Sequence, residues 1–310
     1  ADAMSGSALL EREGAAVAAL DVAAARGAGA ARGGRACCAP CRVLHVWSGP
    51  RCLSTSCLYA FAQHGRVARV LDEPLYAHWL HRHPEVERPY KEALFASQSS
   101  DGQDVLDRLV CAETGSSPET APMEGKEALG AMGVTYVKHI GKFYCGNLRL
   151  APQLTAPGHY HVVMARDPER VLGSFAEVVT PDMAETGYPE LLQIVHELDE
   201  ARAPLLCVDA NELAADAERT LRRMCAFSGI GWDEGMLSWD AGGRPEDGVW
   251  APYWYGSVHA STGFERAAGE RPPRAQLPDA LRPLAEECTP LYRAIVERAA
   301  ADKVKYASSS

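Results

Sequence analysis

From Arg42 onward, short β-branched apolar runs alternate with stretches of helical periodicity. Val43 to Trp47, Val67 to Leu71, Val134 to Ile140, His159 to Met164 and Leu205 to Val208 read as strands, because each is apolar, bounded and too short for a helix. After the first run a Gly49-Pro50 turn leads into a helix with apolar positions at Leu53, Cys57, Leu58 and Phe61. Strands that alternate with helices imply βαβ units, and hence a three-layer α/β fold with a central, mainly parallel sheet covered on both faces. Ligands of such sheets bind beyond the carboxyl ends of the strands. Residues 101 to 130 are polar and poor in strand formers, which suggests an insertion or lid.

Residues 1 to 42 are rich in Ala, Gly and Arg and form a low-complexity leader, with one Ala-rich helix expected around Leu9 to Ala25. Asp2, Glu11, Glu13 and Asp21 are too many acids for a good transit peptide. The domain proper is placed at 43 to 300, followed by a tail at 301 to 310.

Composition narrows the partners. Of 310 residues 47% are apolar and 23% charged, the balance of a folded globular protein. A formal charge of −10 leaves no diffuse basic field for nucleic acid or an anionic membrane, so a polyanionic ligand has to be held by local arginines and backbone N–H groups. The sequence contains no apolar run long enough to span a bilayer. Several of the ten cysteines sit in apolar runs, as reduced, buried thiols do. This points to the cytoplasm, or to a plastid if the leader is the remnant of a transit peptide. Cys38-Ala-Pro-Cys41, beside Cys37, is half a zinc site without a second Cys-x-x-Cys pair, so no metal is expected. The sequence carries no signal of oligomeric state.

The chemistry begins at Trp47-Ser-Gly-Pro-Arg-Cys-Leu-Ser-Thr-Ser56. A loop that follows a first strand and opens a helix directs free N–H groups at the sheet edge, which suits a phosphate. In a Walker A loop the positions now held by Ser54, Thr55 and Ser56 would include a second Gly and a Lys, so an ATPase or GTPase is disfavoured. Farther on, Val162-Val-Met-Ala-Arg-Asp-Pro-Glu-Arg-Val-Leu-Gly-Ser174 reads as a strand ending at Arg166, with Asp167 capping the next helix and Pro168 in its first turn.

Taken together and in this order, the two segments resemble the sulfotransferases, a family of P-loop NTPase-like fold. Pro50-Arg51-Cys52-Leu53-Ser54-Thr55 is similar to that family's donor loop, with Leu53 where Gly is often found. The resemblance implies that Arg51, Cys52, Leu53, Ser54 and Thr55 hold the 5′-phosphosulfate of 3′-phosphoadenosine-5′-phosphosulfate (PAPS), and that Arg166 and Ser174 grip its 3′-phosphate. A guanidinium fork with a hydroxyl suits a phosphate monoester. Ser261, Thr262 and Gly263 correspond to a late loop that touches the same phosphate. Cys207-Val-Asp-Ala-Asn-Glu-Leu213 resembles an architectural stretch of the family.

The motifs Leu71-Asp-Glu-Pro-Leu-Tyr76, Glu87-Arg-Pro-Tyr90, Lys138-His-Ile140, Trp250-Ala-Pro-Tyr-Trp-Tyr-Gly-Ser-Val-His259 and Ser261-Thr-Gly-Phe264 further resemble the N-terminal segment of plant proteins called branched-chain aminotransferase-like. Aminotransferase chemistry belongs to a separate domain of those proteins. For this chain the resemblance implies transfer of a sulfuryl group to a hydroxyl or amine of a small-molecule acceptor, with no metal required. Glu73 and His139 compete as the base, and Lys138 would stabilise the bridging oxygen. Trp250 to Tyr255 with His259 is either a lid over the ligands or core packing. A non-catalytic nucleotide-binding module is the alternative function.

Overall fold

The computed structural model of the chain describes residues 42–110, 133–146, 148–150, 154–155, 157–264 and 277–306. Its centre is a five-stranded sheet in the order β2-β3-β1-β4-β5, with every neighbouring pair parallel. The strands are β1 (Arg42–Ser48), β2 (Val67–Asp72), β3 (Val134–Ile140), β4 (His159–Ala165) and β5 (Leu205–Asp209). All five apolar runs are strands, each at most one residue longer at an end than the pattern suggests. The chain winds from β1 outward to β2, returns through β3, then crosses to β4 on the other side of β1. That reversal opens a crevice at the carboxyl end of β1, where such sheets bind ligands.

Period-two alternation divides the core into two layers. Leu44 and Val46 of β1, Tyr136 of β3, Val162 and Met164 of β4 and Leu206 and Val208 of β5 face the helices Ser54–Gln63 and Ala217–Ser228. Val43, Trp47, Val137, Val163, Leu205 and Cys207 face Tyr76–Arg82, Tyr188–Glu200 and Arg282–Tyr306. Phe61, fully buried and stacked on Tyr136 at 4.8 Å, illustrates the scale, since one such side chain contributes about 1.5–3 kcal/mol on burial.

Several sequence boundaries need correction. Leu53 does not join the apolar stripe of the first helix. It precedes Ser54–Gln63 with φ 63° and ψ 17°, a left-handed conformation that ends the loop before the helix begins. Arg42, assigned to the leader, starts β1 and donates to the Ser228 carbonyl at 3.0 Å. The last helix, Arg282–Tyr306, continues through the expected boundary at 300. The Ala-rich leader helix and Cys37, Cys38 and Cys41 lie outside the described residues, as do 111–132 of the expected insertion; its start is the helix Gly102–Val110. Among the described residues no helix is long and apolar enough to cross a membrane, and no group of His, Cys, Asp and Glu is arranged to hold a metal ion.

Candidate active site

A cleft opens at the carboxyl edge of the sheet. The loop from Pro50 to Ser56, Arg166 and Ser174 line it together with Glu73, Lys138 and the aromatic side chains of Tyr76, Phe143 and Trp254. Ser54–Gln63 begins with no side chain capping its N–H groups and no acid in its first turn, so its positive end is left for a ligand.

Arg51 and Arg166 are tied to each other and to Ser174. Arg51 Nε donates to Ser174 Oγ at 2.9 Å, and Arg166 Nη1 donates to the Arg51 carbonyl at 2.9 Å. Ser174 therefore meets the Arg51 side chain, and Arg166 the Arg51 backbone. Arg166 Nε is buried without a partner among the described residues. Burial pushes both guanidinium pKa values down, with the Glu177 charge pulling the other way at Arg51. Two half-buried cations with no bonded carboxylate among the described residues, beside a helix N-terminus without a side-chain cap, fit a polyanionic group.

The loop is held in a shape that L-residues rarely adopt. Arg51 has φ 59° and Leu53 φ 63°. Leu53 thus takes the backbone conformation that a glycine enters freely, and the departure from Gly leaves the turn intact at a cost of order 1 kcal/mol. Cys52 contributes backbone, not reactivity: burial pushes its thiol up to about 12, and Sγ lies 3.4 Å from the Pro50 carbonyl.

Asp72 ends β2 and Glu73 follows it with φ 46°. Hydrogen bonds fix this strained residue on both sides, its N–H to the Lys138 carbonyl at 2.9 Å and its carbonyl to Gln98 Nε2 at 3.2 Å. Lys138 Nζ donates to Asp72 Oδ1 at 2.9 Å, Glu73 Oε1 at 2.7 Å and Tyr255 Oη at 2.6 Å. Tyr255 also lies 2.8 Å from Asp72 Oδ2 and 3.1 Å from Glu73 Oε1, and its hydroxyl accepts from Trp250 Nε1 at 2.9 Å. Burial raises the Glu73 carboxyl above its ordinary range, with the Lys138 ammonium pulling the other way and Asp72 adding to the rise. Burial also works against the Lys138 ammonium, but Asp72 and Glu73 outweigh it and hold its pKa up.

Two expected roles change here. An ammonium has three N–H bonds, and Asp72, Glu73 and Tyr255 accept all three from Lys138. Lys138 therefore orients Glu73 and has no donor left for a bridging oxygen. His139 does not reach the cleft: strand alternation sends it to the other face of the sheet, where it stacks on Trp47 at 3.9 Å and its Nε2 lies 3.2 Å from His45 Nδ1. Burial pushes its pKa well below 6.5.

Ser261, Thr262 and Gly263 lie apart from the donor loop, around a separate shallow depression with Leu237 and Phe264. Gly263 bridges to Ser238, and Ser261 Oγ accepts from Trp239 Nε1 at 3.2 Å. The aromatic stretch combines the two expectations: Trp250 and Tyr255 are buried and also line the cleft, Trp254 lines it as well, and His259 pairs with Asp247 at 2.9 Å.

The sulfotransferase domain model matches residues 42–299, spanning all five strands and the residues that line the cleft. The chain belongs to the sulfotransferase domain family. Branched-chain-amino-acid aminotransferase-like proteins 2 and 1 of Arabidopsis thaliana are 36% and 37% identical to this sulfotransferase domain over 250 residues, 81% of the chain. The chain spans only 40% and 41% of those two relatives' lengths. Among solved structures, the sulfotransferase domain of the Synechococcus PCC 7002 olefin synthase aligns with 81% of this chain and 95% of its own, at 16% identity and a TM-score of 0.43. A sulfotransferase from Alicyclobacillus acidocaldarius aligns with 83% of this chain and 94% of its own, at 14% identity and a TM-score of 0.43.

Sequence reasoning gave no chemistry to Asp72, Arg88 or Lys142, all three near the cleft. Asp72 had a readable signal, since it ends a strand beside Glu73. Lys142 lies just past β3 in a 3₁₀ turn, Gly141–Phe143, and nothing in its neighbours marks it.

Proposed function

We propose that this domain transfers the sulfuryl group of PAPS to a hydroxyl or amine of a small molecule. The observation that carries the reading is that the loop Pro50 to Ser56, with Arg166 and Ser174, and the buried carboxylate of Glu73 line one cleft. Arg51, Ser54, Thr55 and the first N–H groups of Ser54–Gln63 would hold the 5′-phosphosulfate, and Arg166 with Ser174 the 3′-phosphate. The donor supplies an activated sulfuryl group.

Glu73 accepts the acceptor's proton. As the acceptor oxygen or nitrogen forms its bond to sulfur, the bond from sulfur to the 5′-phosphate oxygen breaks and the electron pair leaves with the phosphate. Arg51 and the helix N-terminus stabilise that developing charge, because preorganised donors in a water-poor cleft act without reorganising. Lys138, Asp72 and Tyr255 position Glu73. No step requires a metal.

The test is binding of adenosine 3′,5′-bisphosphate, the donor's product. It should raise the melting temperature of the full chain more than ATP does, since a ligand of the folded state stabilises by mass action. Arg166→Ala should weaken the bisphosphate about 10–100-fold by calorimetry, the range for a lost hydrogen bond to a charged group. Equal response to ATP, or unchanged affinity in Arg166→Ala, would remove the assignment. Binding without sulfuryl transfer to any acceptor would leave a non-catalytic nucleotide module.

A further inference from the structure

The cleft contains a second group of cations that the donor reading does not use. Arg88 and Lys142 both line it, and Glu185 is the carboxylate they share. Lys142 Nζ pairs with Glu185 Oε2, and Arg88 Nη2 lies 3.7 Å from Glu185 Oε1. Two positive charges therefore meet one negative charge. Arg88 Nε is buried with no partner among the described residues. Burial pushes the Lys142 ammonium down, even though Glu185 pulls it up, as expected of a cation short of counter-charge. Glu190, a further acid whose carboxyl senses Lys142, is itself raised by burial and does not line the cleft.

The same lysine sits on an aromatic wall. Its Nζ lies 4.5 Å from the Trp79 ring centre, 5.6 Å from Phe143 and 5.8 Å from Phe175. Phe143 and Phe175 line the cleft together with Tyr76, Trp250 and Trp254. Aromatic faces select flat rings by stacking and edge contacts. An unbalanced cation at the edge of such a wall selects a ring that carries a negative group, which it binds through charge-assisted hydrogen bonds.

Resting on the proposed sulfuryl transfer, we infer that the acceptor is an anionic aromatic molecule, a hydroxyaryl carboxylate in its simplest form, whose carboxylate is held by Arg88 and Lys142 while its hydroxyl faces Glu73. These two residues set acceptor specificity. Neither residue contacts Arg51, Arg166 or Ser174 through a hydrogen bond or ion pair among the described residues, so their removal should leave the bisphosphate in place.

The experiment saturates the full chain with adenosine 3′,5′-bisphosphate and titrates three probes that share a phenol ring: 4-hydroxyphenylacetate, neutral 4-ethylphenol and cationic tyramine. The anion should bind about tenfold or more tightly than either of the others, the effect of one charge-assisted bond at a partly buried site. Lys142→Met should abolish the preference. Glu185→Gln, which removes the competing carboxylate and keeps its shape, should enlarge it. Transfer from labelled donor should follow the same order in kcat/KM. Equal binding of the three probes, or of none, in protein that holds the bisphosphate would overturn the acceptor class while leaving the donor site standing. Loss of bisphosphate affinity in Lys142→Met, with a folded Glu185→Gln that shows no enlarged preference, would reassign these cations to the donor. Failure of wild type to bind the bisphosphate would remove the sulfotransferase reading itself, and this inference with it.

Discussion

Glu73→Gln lowers turnover about 10²–10⁴-fold while leaving bisphosphate affinity within a factor of about two, because loss of a general base acts on the transition state alone. The amide keeps the side chain's length and can still accept from Lys138 through its oxygen, so the Lys138, Asp72 and Tyr255 contacts survive. What disappears is the ability to take a proton. In wild type the rate should climb with pH as Glu73 ionises, with its midpoint above the ordinary carboxylate range of about 4.3, since burial outweighs the pull of Lys138. That limb should vanish in Glu73→Gln. Tyr255→Phe separates positioning from chemistry: it removes a hydroxyl that contacts both carboxylates and Lys138, and should move the midpoint of the limb without abolishing it. Turnover that is unaffected by Glu73→Gln, in protein that still binds the bisphosphate, would place the proton acceptor elsewhere.

What the sequence made legible was whatever depends on neighbours along the chain. The strands are apolar runs with β-branched residues, and Asp167 caps its helix by accepting from Arg170 N at 3.2 Å, one turn away. Arg51 and Arg166 occupy loop and strand-end positions that the parallel sheet brings to one edge. Other features depend on signs and partners that local reading does not supply. Lys138 and His139 are adjacent in sequence, yet a strand sends adjacent side chains to opposite faces, so only one of them could reach a cleft on that side. Tyr255 meets Glu73 and Asp72 across 182 and 183 residues of chain, and its hydroxyl decides where all three N–H bonds of Lys138 point. The left-handed backbone at Leu53 has no sequence signature, because a leucine at that position normally marks a helix interior.

The face of the sheet that carries Trp47 holds a layer of buried histidines that should govern how the protein responds to acid. His45 of β1 stacks on His161 of β4 at 4.7 Å, and its two ring nitrogens lie 3.2 Å from His139 Nε2 and 3.1 Å from His159 Nδ1. His161 Nδ1 accepts from Trp47 Nε1 at 3.1 Å, so its Nε2 carries the hydrogen and donates to the Leu154 carbonyl at 2.9 Å. Burial, and then the neighbouring imidazoles, push His45 and His139 well below 6.5 and His161 to about 4.

The native state therefore keeps these rings neutral, whereas the unfolded chain protonates them near pH 6.5. Because the unfolded state then binds more protons, stability is fully present above about pH 6.5 and is lost as pH falls through that value toward the folded pKa values. Each such histidine contributes a slope of about 1.4 kcal/mol per pH unit, so three together give about 4, against a typical total of about 5–15 kcal/mol. Glu73, Glu190 and Asp209, whose carboxyls are raised by burial, oppose this, since a raised carboxyl pKa favours the folded state as pH falls. The decisive quantity is accordingly the difference between proteins. In urea unfolding between about pH 6 and pH 5, His139→Gln should show a pH slope shallower than wild type by about 1.4 kcal/mol per unit, the contribution of one non-titrating site. The same subtraction applies to His161→Gln down to its folded value of about 4. Parallel slopes in wild type and both variants would mean that the layer titrates in the folded protein as freely as in the unfolded chain.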